Sequence, residues 1–202
     1  MKHLDKLISI GSAAIGQSFS NDAQLPPVIV SMLAIKNGFY AFESALLVRH
    51  CGVPIAPMDC KKWNNRETWK ELFEHSPSGF CFAENIFGEQ FFWTNDSVWL
   101  FDPETSESNR ICSTLDEWAE CILDDYDSRT GYSLAKEWQA TFGALQAGTK
   151  LIPQKPFVLG GEFELKNLKA ESEAVSMRCR AAIANQIWNT PDGTPIKIEL
   201  KG

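Results

Sequence analysis

The stretch Gly79-Phe-Cys-Phe-Ala-Glu-Asn-Ile-Phe-Gly-Glu-Gln-Phe-Phe-Trp93 constrains the fold more than any other part of the chain. Seven of its fifteen residues are large aromatics or Ile, with two acids and two amides set among them. Such density demands burial, and Gly88 supplies a residue that tolerates positive φ in the middle. The pattern predicts a strand over Gly79 to Ala83, a turn within Asn85 to Glu89, and a return strand over Gln90 to Trp93. Thr94-Asn95-Asp96 reads as a second turn, Ser97 to Phe101 as a third strand, and Asp102 to Asn109 as a further turn. This is an antiparallel meander, in which Glu84 and Asn85 are expected to organise the first turn through local backbone hydrogen bonds.

Helices flank it. Residues 1 to 24 read as a weak helix and a loop, and Val28 to Lys36 as a helix ended by Asn37-Gly38. Phe39 to His50 is apolar and fits strand or helix. Asn64 to Glu74 reads as a helix with Trp69, Leu72 and Phe73 on one side. Ser113 with Asp116, or Thr114 with Glu117, makes a capping box for a helix carrying Leu115, Trp118, Ala119, Ile122, Leu123 and Tyr126 at helical spacing. A second helix is expected over Ser133 to Gln146, with Leu134, Trp138, Phe142 and Leu145 inward. Phe157 to Leu159 looks like a strand, Gly160-Gly161 a tight turn, Glu171 to Trp188 a helix, Pro191-Asp192-Gly193 a turn, and Ile196 to Leu200 a terminal strand. The expected fold class is α+β: an antiparallel sheet meander flanked by helices. The whole of 1–202 reads as a single domain, with a core at about 25–146 and a C-terminal helix-plus-strand elaboration at about 147–202.

A net charge of −7 argues against nucleic acid as a direct partner, because counterion displacement needs a basic face. No run of eighteen apolar residues exists to cross a membrane. Asp5, Ser9, Gly11, Ser12 and Gly16 dilute the apolar stretch near the N-terminus, so a secretion signal is not expected and a cytoplasmic protein is. The six cysteines, none in a CxxC pair, read as reduced thiols of a cytosolic core.

A search for chemistry returns little. His3, His50 and His75 lack partners at metal-ligand spacing, and HExxH, GxSxG and GxxxxGK[ST] do not occur. Glu84 with Glu89 would serve acid–base work only inside one cleft with a displaced pKa. Cys81, set among phenylalanines, reads as a buried thiol rather than a nucleophile. No catalytic residues, metal site or cofactor are expected, and the protein is read as a non-enzyme. From Asp116 to Asp127 there are six acids and no basic residue. Asp116, Glu117, Glu120, Asp124, Asp125 and Asp127 read either as a solvated face or as a surface for a basic protein partner. Phe39, Tyr40, Trp63 and Tyr132 are candidates for exposed aromatic anchors.

Several segments, in this order, resemble the SUKH superfamily. They are Asn37-Gly38-Phe39, Phe82 through Phe91, Phe101-Asp-Pro-Glu-Thr105 and Trp118, followed by Pro156 through Phe163, Asn167-Leu168, Ala184 through Ile187 and Pro191-Asp-Gly193. Together they span roughly residues 25 to 200. Asn85 and Phe163 depart from the pattern, which has Asp and Tyr there. The superfamily includes bacterial immunity proteins that neutralise polymorphic toxins and fungal regulators of cell-wall glucan synthesis. The resemblance implies an α+β fold and a protein-binding role without catalysis. The partner it implies is a cognate toxin domain, a nuclease being one candidate. The alternative is a regulatory or scaffolding protein that binds an endogenous enzyme.

Overall fold

The computed structural model describes residues 2–19 and 22–191. The meander is its centre. Six strands, β1 (Phe39–Ala41), β2 (Leu46–Val48), β3 (Phe80–Asn85), β4 (Gln90–Thr94), β5 (Ser97–Phe101) and β6 (Ser108–Cys112), pair in sequence order. Every pairing is antiparallel. Successive side chains of a strand point to opposite faces, and here both faces are covered. Phe82 and Phe91 face α1 (Lys2–Ile10), α2 (Pro27–Ile35) and α4 (Leu115–Asp124). Cys81, Phe92 and Phe101 face Trp63, Trp69, Phe73 and α7 (Glu173–Trp188). Two-sided burial explains why the opening stretch is a dense apolar run rather than an alternation. The fold is therefore α+β, with helices flanking a meander sheet, as the pattern implied.

Trp118 anchors the first face. It is fully buried and meets Phe82 and Phe91 edge-on, at 5.0 and 5.6 Å between ring centroids. Its helix starts at the Thr114 cap, whose hydroxyl accepts from the Glu117 N–H at 3.1 Å, while the Glu117 carboxylate accepts from the Ser113 N–H at 2.8 Å. The Thr114 half of the expected capping box holds, while the Glu117 carboxylate reaches one residue further back, to Ser113. Helix α1 is capped at both ends by other elements. Asp116 accepts from the N–H groups of His3 and Leu4, each at 3.0 Å, and the Lys36 ammonium donates to the Ile8 and Ser12 carbonyls. Both placements complement the helix dipole.

Beyond α4 the chain breaks at Asp125 into α5 (Tyr126–Thr130) and α6 (Tyr132–Phe142). A two-stranded sheet, β7 (Thr149–Pro153) with β8 (Leu168–Ser172), leads into α7. A third apolar cluster, containing Ile86, Phe87, Ala135, Leu151 and Leu168, joins this unit to the β3–β4 turn.

Several expectations need correction. The segment 64–74 is not one helix: after α3 (Cys60–Asn64) come two short 3-10 turns, Arg66–Thr68 and Lys70–Leu72. They let Trp69 and Phe73 bury while Leu72 is exposed. Phe157–Leu159 is a 3-10 turn rather than a strand; β6 begins inside the expected turn at 102–109, β7 and most of β8 fall where no element was expected, and the end of β8 takes Glu171 and Ser172 from the expected helix. Phe142 points outward at 60% exposure, and Phe39 and Trp63 are core residues rather than exposed anchors. Cys51 and Cys60 form a disulfide, contrary to the expectation of six thiols, because the loop they bracket folds back to bond the Cys60 N–H to the His50 carbonyl. Cys81 is buried, as expected, and burial pushes its thiol pKa up to about 11. The terminal strand expected at 196–200 lies outside the described residues, as does most of the turn at 191–193.

Trp118→Ala is expected to cost about 3–5 kcal/mol of stability, the range for removing a buried aromatic. Urea denaturation of the variant beside the parent checks this.

Candidate binding site

Two groups of charged side chains lie beneath the surface, and they differ in how their charge is balanced. The first is closed. Arg49 follows β2, Glu84 lies on β3, Lys150 on β7 and Glu173 opens α7. All four are buried. One Glu84 oxygen meets Arg49 at 2.6 Å and Lys150 at 2.8 Å, while the other accepts from the Gln90 amide at 2.7 Å. The Arg49 guanidinium also meets Glu173 at 2.8 Å and lies over the Trp63 ring, 3.8 Å from its centroid. The Trp63 indole N–H donates to Gln90 at 2.8 Å, and Glu173 accepts from the Met58 N–H at 2.6 Å. Two cations face two anions. Burial pushes the Glu84 carboxyl up, but Arg49 and Lys150 outweigh it and hold the group below the usual carboxylate range. Glu84 is therefore not a turn organiser, and it shares no cleft with Glu89. It is spent on an internal ion cluster that joins the main sheet to the C-terminal unit.

The second group is open. The tight β3–β4 turn passes through Gly88 at φ +81°, and a Cβ there would stand 2.6 Å from Nη1 of Arg180. Glycine takes the left-handed backbone without strain and leaves room for this approach; a side chain here would be strained and would displace the guanidinium. Arg180 comes up from α7 to line a recess of about 400 Å³, opposite Glu89 on the turn and Asp102 and Glu104 at the end of β5. Phe87, Phe157 and Phe163 complete the wall. Phe157 and Phe163 stack face to face at 3.9 Å, and Phe87 meets both edge-on at 5.5 and 5.8 Å. Phe163 is 61% exposed.

Asn85 builds the turn, as expected. Its Oδ1 accepts from the Phe87 and Glu89 N–H groups, and its Nδ2 donates to the Glu89 carboxylate. An Asp at this position would have no N–H to donate and would set a second carboxylate against Glu89. Asn rather than Asp at position 85 is thus matched to its surroundings.

The recess is short of positive charge, with three carboxylates against one guanidinium. Burial first, then the charge of Asp102, push the Glu89 carboxyl above its ordinary value. Burial also dominates at Glu104, and with Asp102 it outweighs the Val158 N–H and Arg180, which pull the other way. One Glu104 oxygen accepts from Val158 N–H at 3.0 Å; the other lies 4.0 Å from Arg180 Nε and has no hydrogen bond. Nε and Nη1 of Arg180 also lack hydrogen-bond partners, although the residue is only 3% exposed.

The acidic residues singled out in the sequence divide by role. Asp116 caps α1, Glu117 caps its own helix, and Asp127 accepts from the Ser133 N–H at 2.7 Å and its hydroxyl at 2.9 Å, at the start of α6. Glu120 is exposed and lies 3.7 Å from the His3 ring, and Asp124 and Asp125 are exposed. Asp127 lines a second depression, of about 330 Å³, that shares Phe87, Ser128 and Phe163 with the recess. Asp127, alone of the six acids, thus links the acidic end of α4–α5 to the recess. Sequence reasoning passed over Asp102, Glu104, Phe163 and Arg180 as site residues. The first three lie in segments that carry the family resemblance; Arg180 gave no signal.

A larger depression, about 740 Å³, lies between the 51–59 loop and the start of α7. The charged-cluster group it reaches, Glu173, is already engaged by Arg49 and Met58. The recess at Arg180 is therefore the stronger candidate.

No family model matches the sequence, and no curated protein matches it. Among solved structures the chain is similar to the crystal structure of Atu4351 from Agrobacterium tumefaciens. The TM-score is 0.59 at 13% identity, covering 90% of this chain and 88% of that one. At that identity the likeness is one of fold.

The two charge groups give stability predictions of opposite sign. The folded pKa of Glu84 lies below the unfolded value, so its contribution is full above the unfolded value of about 4.3 and is lost as pH falls through the folded one. Glu84→Gln is expected to cost about 3–5 kcal/mol at pH 7, since it strands two buried cations. The gap to the parent narrows in acid. The folded pKa of Glu89 is raised, so its ionisation works against folding at pH 7. Glu89→Gln is expected to raise the thermal midpoint at pH 7, with the gain vanishing below pH of about 4. Midpoints measured from pH 3 to 8 check both.

Proposed function

We propose that the protein is an immunity protein of the SUKH type. It binds a cognate bacterial toxin domain by protein–protein contact and neutralises it without catalysis. One observation carries this reading: a recess with uncompensated carboxylates and a stacked aromatic pair opens onto the acidic end of α4–α5, so a single continuous surface fits a basic partner. Where the toxin is a nuclease, its basic substrate surface is complementary to this face, and covering it would keep nucleic acid out. The charge speeds encounter and sets specificity, while desolvated aromatic contact holds the complex.

Among the described residues no helix is long and apolar enough to cross a membrane. The compartment belongs to the proposal. A toxin that attacks nucleic acid acts in the cytoplasm, whereas a bond such as Cys51–Cys60 persists in oxidising compartments. Alkylation of thiols at the moment of lysis, read by mass spectrometry, decides between them.

The direct test is capture from the native host with the neighbouring reading frames co-expressed. Stoichiometric recovery of a toxin domain is the expected result. Recovery of a housekeeping enzyme alone would replace the immunity reading with a regulatory one. With the partner in hand, charge reversal at Glu120, Asp124 and Asp125 avoids the capping residues Asp116, Glu117 and Asp127. The triple variant is expected to associate about tenfold more slowly at low salt, with a flatter salt dependence and unchanged stability. Unchanged association kinetics would exclude this face.

A further inference from the structure

We infer that the recess beside Arg180 is a socket for an arginine side chain of the protein partner. The inference rests on the protein-binding reading above and names what that surface grips. Four observations point to arginine. First, Glu89, Asp102 and Glu104 outnumber Arg180, so the recess takes up positive charge more readily than negative. Second, Glu104 is 5% exposed and lines the recess with one oxygen that accepts no hydrogen bond. The nearest charged donor to that oxygen, Arg180 Nε, stands 4.0 Å away, beyond hydrogen-bond reach, so the oxygen can accept from an incoming group. Third, the ring of Phe163 is exposed and already stacked flat on Phe157. A planar guanidinium continues such a stack, and an ammonium does not. Fourth, Nε and Nη1 of Arg180 are buried donors without acceptors, and the main-chain carbonyl beside an inserted side chain would supply one.

Each feature is costly for the free protein. Buried donors and acceptors without partners, and carboxylates crowded together, all weaken folding. One incoming arginine relieves them together: several N–H donors for the carboxylates, a positive charge for the excess of negative, and a flat face for the ring. Lysine offers the charge but not the plane. A neutral isostere offers the plane but not the charge. Because the site needs ionised carboxylates, docking weakens as pH falls through the carboxylate range.

The test uses the full-length protein, labelled with 15N, and three small probes: the N-acetyl methylamides of arginine, lysine and citrulline. The arginine probe is expected to bind saturably in the millimolar range, shifting the amides of Gly88, Thr105 and Phe163 and the Nε–H of Arg180. The lysine probe is expected to bind at least threefold more weakly, and the citrulline probe to leave these signals in place. Phe163→Ala, at an exposed position that does not threaten folding, is expected to weaken arginine binding about threefold, the loss of one exposed cation–π contact. Asp102→Asn is expected to weaken it further. Equal shifts from arginine and citrulline, or shifts scattered over the α4–α5 surface without saturation, would overturn the inference. Capture of a toxin alongside indifference to the arginine probe defeats the socket alone. Arginine binding without any captured toxin defeats the immunity reading and leaves the socket standing.

Discussion

The contact of Arg49 with Glu84 holds the rest of the structure in place. It sits where β2, β3, β7 and α7 converge, buried away from bulk solvent. A buried ion pair rarely gains stability over a well-packed apolar substitute, because desolvation cancels most of the attraction. What it gains here is specification. Glu84 satisfies Arg49 and Lys150 only if the β7–β8 unit docks in one register, and Arg49 satisfies Glu173 only if α7 starts where it does. The Trp63 ring lies under the guanidinium and the Gln90 amide holds the second Glu84 oxygen, leaving Arg49 Nε without a hydrogen bond. Apolar contact alone would tolerate sliding; this cluster does not.

That rigidity is what makes the recess possible. Arg180 lies on the same helix that Glu173 pins, and the β3–β4 turn it approaches begins one residue after Glu84. The closed cluster thus fixes both walls of an open one. Inside the molecule charge is balanced; at the edge it is left unbalanced, at a cost in stability. Natural proteins hold such unfavourable arrangements where function requires them, and the surrounding fold carries the cost.

The sequence made the meander legible because its signals are local. Dense aromatics, Gly88, and Thr94-Asn95-Asp96 mark strands and turns within a few residues of one another, and β5 falls where the pattern put it. The Thr114–Glu117 cap was legible for the same reason. Strand β6, Ser108–Cys112, was not: it is a polar edge strand whose first three residues are exposed, so it carries no apolar period. Strands β7 and β8 are short and far apart in sequence, and pairing across such a distance leaves little local trace. The 60–73 segment misled because its tryptophans reach the core through 3-10 turns, with the Trp69 indole bonded to the Trp63 carbonyl. The site was half-legible. The acids of α4–α5 stood out as a run, but their division into helix caps and exposed groups depends on His3, Leu4 and Ser133, which no spacing rule brings near. Arg180 and Glu104 meet only in the folded chain.

The central claim is that the Arg49–Glu84 cluster binds the C-terminal unit and the main sheet into one cooperative body, so that the recess is preformed. Native-state hydrogen exchange tests it most directly, with the parent compared to Lys150→Met. In the parent, the slowest amides of β7 and α7, such as Leu151 and Ala181, should exchange with the same free energy as those of Cys81 and Phe91. In the variant all should fall together. If Leu151 and Ala181 already exchange more easily in the parent, or fall alone in the variant, the C-terminal unit opens by itself and the recess is not a preformed site.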